Sequence, residues 1–167
     1  MPASNAERNK ATYRRFVELL NTQNFNALPE VVDPDRYRED CIGFTGGWVD
    51  LTDATSSLRR ALVGIPDLTA EIEDCVADDH RIYARLTVRG TNTGRLFGLP
   101  PTRRAYQVNM FDYALFDGGK IVERIQQTDS LSQMRQLYTP ALASAAVAAV
   151  LSLTGTAIAL RRRSRRP

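Results

Sequence analysis

Up to about residue 63 the chain repeats its apolar residues every three or four positions; from Leu68 onward it alternates apolar and polar. The first period is that of helices with one buried stripe, the second that of strands with one buried face. Ser4-Asn5-Ala6-Glu7 offers a helix start, and Ala11, Tyr13, Phe16, Val17, Leu19 and Leu20 continue the helical spacing towards Thr22. A shorter helix is predicted from Asn24 to Val32, ending before Asp33-Pro34. An extended piece around Tyr37–Phe44 and a Gly46-Gly47 turn follow. A third helix is predicted from Leu51 to Val63, stopped by Gly64 and Pro66.

Four alternating segments come next, at 68–76, 81–89, 105–116 and 121–128, with Asp117-Gly118-Gly119-Lys120 as a hairpin signal. Their short connections predict antiparallel pairing between neighbours, and a closing helix is predicted from Leu131 to Leu137. Helices first and a strand meander afterwards define an α+β domain.

Alternation also assigns faces. Ile82, Ala84, Leu86 and Val88 form an apolar set, as do Val108, Met110, Ala114 and Phe116, and Leu68, Ala70, Ile72 and Val76. The second set includes Asp112 and the third Asp74. A carboxylate on a core-facing side must be paired, protonated or functional. Asp74 is either a solvated strand-end residue or functional; Asp112 is either paired with an arginine such as Arg124 or functional. The last strand places Arg124, Gln126 and Thr128 together, as on a strand that lines a wet cavity or forms an exposed edge.

Composition adds limits. The 167 residues are 43% hydrophobic and 25% charged, the make-up of one globular domain. The net charge of +3 is a property of the end of the chain, because five arginines stand in the last seven residues. The remainder carries 17 basic against 19 acidic residues, which excludes a basic nucleic-acid-binding surface as the main feature. Cys41 and Cys75 are too far apart for a CxxC motif, and the sole histidine, His80, excludes a histidine-rich metal site. Residues 1–5 carry no apolar leader, so a cytoplasmic, reducing setting is expected.

Two stretches match a known pattern. Gly90-Thr91-Asn92-Thr93-Gly94 with Phe97-Gly98-Leu99-Pro100-Pro101-Thr102-Arg103-Arg104 resembles the GTHTG…GxPPTGR segment of SnoaL-like polyketide cyclases. Asp117-Gly118-Gly119-Lys120-Ile121-Val122-Glu123-Arg124, followed by Thr128-Asp129, resembles their DGKIVEHWDxxD ending. The resemblance spans roughly residues 6–138 and implies the fold of nuclear transport factor 2. In that fold a strongly curved, mainly antiparallel sheet is closed by N-terminal helices around a pocket. It implies cofactor-free chemistry on an apolar, polyketide-like ring substrate: aldol cyclisation, isomerisation or hydroxylation. It also implies pairing of two copies through the sheet.

In the cyclases a pocket aspartate serves as base and then acid. Here that position is Gln126, and the histidine beside it is Arg124. Asp112, fourteen residues before Gln126, becomes the expected ionisable group, with Gln126 and Arg124 holding a carbonyl or enolate oxygen. Leu86, Met110, Phe111, Thr128 and Trp48 are the expected substrate-binding residues, with Tyr106 and Tyr113 as further aromatic candidates. Asp129 is expected to cap the closing helix.

The domain is therefore assigned to residues 1–138 and a separate tail to 139–167. Residues 141–160 carry no charge, eight of the twenty are alanine, and RRRSRRP follows. Twenty helical residues match a bilayer core of about 30 Å, so membrane contact through 141–166 and a dispensable extension are both open. A small-molecule enzyme and a non-catalytic binding or dimerisation module are the competing function classes.

Overall fold

The architecture comes from a computed structural model, which describes residues 4–42 and 47–139. Helix α1 (Asn5–Asn21) starts where Ser4 accepts the Glu7 amide at 3.3 Å. It buries Tyr13, Phe16, Val17 and Leu19, the stripe its spacing predicts. A 3-10 turn (Phe25–Glu30) follows, then strands β1 (Arg38–Ile42) and β2 (Val49–Asp50). Helix α2 (Leu51–Gly64) is capped by Asp50, which accepts the Asp53 amide at 2.9 Å. Strands β3 (Thr69–Ala77), β4 (Arg81–Thr91), β5 (Ala105–Asp117) and β6 (Lys120–Thr128) complete the sheet. Residues 130–139 form a last helix, α3, whose first turn is capped by Asp129 through the Ser132 amide at 3.0 Å.

The sheet order is β2-β1-β6-β5-β4-β3. The meander β3 to β6 is antiparallel, and the β5–β6 turn uses Gly118 and Gly119 at φ 57° and 78°. Both central positions need positive φ in such a two-residue hairpin, which is why glycines stand there. Strand β1 joins the other side of β6 in parallel, with Glu39 opposite Arg124 and Cys41 opposite Gln126. This long crossover brings residues near position 39 against the most polar strand.

Two register irregularities change the face assignments. The pairing of β3 shifts between Ile72 and Asp74, so Cys75 and Ala77 turn towards the core while Asp74 and Val76 are exposed. Asp74 accepts the amide of Cys75 on the outer side. The β5–β6 ladder shifts between Leu115 and Phe116, which puts Ile121 inside with Arg124. Both are effects of one extra residue in a period of two.

The motif around Gly90–Gly94 is a latch on the C-terminus of α2. The Gly64 carbonyl accepts from the amides of Thr93 and Gly94 at 3.0 Å and from Asn92 Nδ2 at 3.2 Å. Asn92 is fully buried and also accepts from the Thr102 amide at 2.8 Å. A Cβ on Gly94 would overlap the Val63 carbonyl oxygen, and one on Gly90 would overlap the Ile65 side chain. These glycines permit close backbone approach. Their job is structural.

Candidate functional site

The concave face of the sheet, α1, the 3-10 turn and α2 enclose a cavity of about 240 Å³. Phe16, Phe25, Leu28, Leu58, Tyr106 and Met110 supply much of its apolar wall. Its polar end is made by Glu39, Arg124, Gln126 and Thr128, carried by β1 and β6.

A buried ion cluster underlies that end. The Arg124 guanidinium donates to Asp112 through Nε at 3.0 Å and Nη2 at 2.8 Å. Its Nη1 donates to Glu39 Oε2 at 3.0 Å, and Nη2 also donates to Gln126 Oε1 at 3.0 Å. Two tyrosines complete the shell: Tyr13 donates to Asp112 Oδ2 at 2.6 Å and Tyr37 to Glu39 Oε2 at 2.7 Å. Gln126 Nε2 donates to Glu39 Oε1 at 3.1 Å. The Phe16 ring covers the guanidinium at 5.1 Å.

Burial pushes the Asp112 carboxyl above the usual carboxylate range, against the lowering effects of the Arg124 charge and of the bonds from Arg124 and Tyr13. Burial alone would lower Arg124, but the charges of Asp112 and Glu39 outweigh it and hold the guanidinium well above its ordinary value. Burial, then the neighbouring carboxylates, raises both Tyr13 and Tyr37, so both phenols are hydrogen-bond donors at neutral pH. Cys41 borders the cavity with its thiol pushed up to about 12, chiefly by burial and then by Glu39, which leaves it unreactive as a nucleophile.

The residues expected from sequence divide accordingly. Arg124, Gln126, Met110 and Thr128 border the cavity. Asp112 meets Arg124 and Gln126, yet its side chain is fully buried behind Arg124 and does not border that cavity. Leu86 is fully buried in the core without reaching the cavity. Phe111 is a correction: it alternates out of phase with Met110, lies on the outer face and is 59% exposed. Trp48 is another: it is 47% exposed beside β2, with Arg38 stacked on its ring at 4.8 Å. Of the further aromatics, Tyr106 lines the cavity, whereas Tyr113 packs on Tyr83 at 5.3 Å on the outer face.

Glu39 is the residue that sequence reading missed. It is the only carboxylate bordering the cavity among the described residues. Its signal is the alternation Tyr37, Glu39, Cys41, a carboxylate between two apolar same-face neighbours, as with Asp112. Only the parallel pairing of β1 with β6 gives that short segment its meaning. No group of three metal-ligating side chains occurs among the described residues.

This architecture, a curved sheet closed by helices over a pocket, is the nuclear-transport-factor-2-like fold. Residues 10–137 match the family model of the SnoaL-like polyketide cyclases, and the chain belongs to that family. IdmH of Streptomyces antibioticus, assigned as a polyketide cyclase, is similar at 24% identity and a TM-score of 0.71, covering 77% of this chain and 97% of its own. AclR of Streptomyces galilaeus, assigned as a hydroxylase, is similar at 22% identity and a TM-score of 0.70, covering 90% and 98%. An LEH-like epoxide hydrolase of M. tuberculosis is similar at 14% identity and a TM-score of 0.63, covering 84% and 97%. No functionally curated protein matches the sequence.

Proposed function

We propose that the protein is a cofactor-independent enzyme of polyketide-type metabolism that enolises a carbonyl group of an apolar ring substrate. Glu39 acts as the base, in place of the expected Asp112. The observation that carries this reading is that, among the described residues, Glu39 alone brings a carboxylate to the cavity, with Oε2 held by Tyr37 and Arg124 and Oε1 accepting from Gln126. Glu39 takes the proton from the carbon beside the carbonyl, and the C–H electron pair forms the enolate. The fixed positive charge of Arg124 lies next to the developing oxyanion. The enolate carbon then bonds to a second carbonyl carbon of the same molecule, and the new alkoxide takes the proton back from Glu39. Product and substrate are isomers, so no oxidant or cofactor enters.

Gln126 serves as a positioning residue in this scheme, bridging Arg124 and Glu39. Asp112 fixes the other edge of Arg124 and acts through it. The deciding experiment measures turnover and ligand binding in Glu39→Gln and Asp112→Asn. Loss of turnover by at least a hundredfold in Glu39→Gln, with binding retained, is expected. Undiminished turnover in that variant removes Glu39 as the base.

A second reading, a binding module without chemistry, is favoured by one observation. Each side chain of the cluster already has a hydrogen-bond partner, as in a purely structural ion network. A second copy of the chain is proposed to dock on the outer sheet face, where Val76, Tyr83 and Phe111 are exposed together. Among the described residues no helix is long and apolar enough to cross a membrane, and the segment 141–166 expected to contact one lies outside them.

A further inference from the structure

The cavity is electrically polarised. Its deep end carries Glu39 and Arg124, with Asp112 sealed behind the guanidinium. Helix α2 contributes Arg59 and Arg60 at the solvent side. Arg60 borders the cavity and donates to Ser57 Oγ at 2.7 Å, and Arg59 lies over the Phe25 ring at 4.7 Å. Phe25 is itself part of the cavity wall.

Neither arginine has a carboxylate within 4.0 Å among the described residues. Among the described residues Arg15, Arg36, Arg38, Arg81 and Arg89 are ion-paired, whereas Arg8, Arg14, Arg85, Arg95, Arg103, Arg104 and Arg135 lack a carboxylate as these two do. What distinguishes Arg59 and Arg60 is place, because Arg60 borders the cavity and Arg59 covers its Phe25 wall. Positions three and four residues away on α2 hold serine, threonine, leucine, valine or glycine, so the helix supplies no acid of its own. The last turn of α2 contains no basic residue, so these two are not placed to meet the helix C-terminus either.

We infer that Arg59 and Arg60 form an anion subsite at the cavity rim, and that the ligand is an apolar body bearing an ionised acid group, a carboxylate or a phosphate. The inference rests on the cavity being the ligand pocket. The two ends act together on orientation. At the deep end the one guanidinium is already engaged by two carboxylates, whereas the rim arginines have no carboxylate partner among the described residues. An ionised acid group therefore seats at the rim, and the apolar, carbonyl-bearing part lies against Glu39. Guanidinium groups suit this task because each presents paired N–H donors that match carboxylate or phosphate oxygens.

The test uses 2-naphthoate, 2-naphthyl phosphate and the neutral isostere 2-naphthamide, titrated by fluorescence into the full chain at low salt. At least tenfold tighter binding of one anion than of the amide is expected, and the tighter anion identifies the acid group. The Arg59→Gln/Arg60→Gln double variant should lose that advantage and bind the amide unchanged, with an unaltered melting temperature. Equal affinity for anions and amide in the parent protein overturns the subsite, as does a preference that survives the double variant. Failure of all three probes to bind overturns the pocket itself. Binding of the amide alone removes only the subsite.

Discussion

Glu39 and Arg124 stand 85 positions apart, yet they are direct partners across the parallel β1–β6 pairing and meet at 3.0 Å inside the protein. Arg124 also holds Asp112 at 2.8 Å, so one guanidinium is the shared partner of two buried carboxylates. Removing the cation strands both. Arg124→Met should therefore destabilise the domain by about 3–5 kcal/mol, the range for breaking a buried ion pair from one side. Urea denaturation measures it. Replacing Asp112 and Glu39 by leucine in the same chain should recover much of the loss, because an apolar cluster has no charge to desolvate. A loss below about 1 kcal/mol for the single variant would mean that water reaches the cluster.

Asp112 also sets a pH dependence. Its folded carboxyl lies above its unfolded value, chiefly through burial and against the pull of Arg124. The folded state therefore binds more protons, and this contribution to stability is largest below pH about 3.9. It declines as pH rises through the folded value. The stability difference between the parent and Asp112→Asn should shrink as pH is raised from 3.5 to 7, measured by urea midpoints. Growth of that difference over the same interval would mean that Arg124 outweighs burial and lowers the carboxyl instead.

The Gly90–Gly94 latch predicts a cost with no chemistry in it. Gly94→Ala pushes a methyl group into the Val63 carbonyl, and backbone cannot swing aside as a flexible side chain can. About 1–3 kcal/mol of stability should be lost, the usual range for overpacking. Thermal melts of Gly94→Ala and Gly98→Ala separate this from a general glycine effect. Nothing lies within 4 Å of a Cβ at Gly98, where the positive φ of 85° is the sole objection.

The outer face predicts an association. A two-fold partner is self-complementary, and here Arg81, Arg85 and Arg89 of β4 run beside Glu71, Glu73 and Asp74 of β3. Exposed Tyr83 and Phe111 add apolar area to the same face. Phe111→Glu should shift a dimer to monomer in sedimentation equilibrium and leave the pocket ligand affinity unchanged. A monomeric parent protein at micromolar concentration would dispose of the interface.

Much of the fold was legible because it is local. Ser4 caps α1, Asp50-Leu51 opens α2, Gly118 and Gly119 turn the hairpin, and the period-two segments became strands within a residue or two of their expected ends. Faces were legible only as far as the period held. Val76 was expected inside with Ile72, and Asp74 either there or in water at the strand end; one extra residue in β3 sends both outward. Phe111 and Trp48 were judged as aromatics rather than by phase, and phase puts Phe111 on the outer side.

The sequence by itself determined the family, the order of helices and strands, and the presence of Arg124, Gln126 and Asp112 on one side of two adjacent strands. Hydrogen-bonded turns, caps and alternation are short-range, and they act within a few residues of the positions that encode them. The tertiary structure alone decided which acid borders the cavity. Strand β1 is five residues long and pairs with β6 across a long crossover, so no local pattern connects Glu39 to Arg124. Once they are paired, Asp112 is sealed behind the guanidinium, and Glu39 is the carboxylate left facing the cavity.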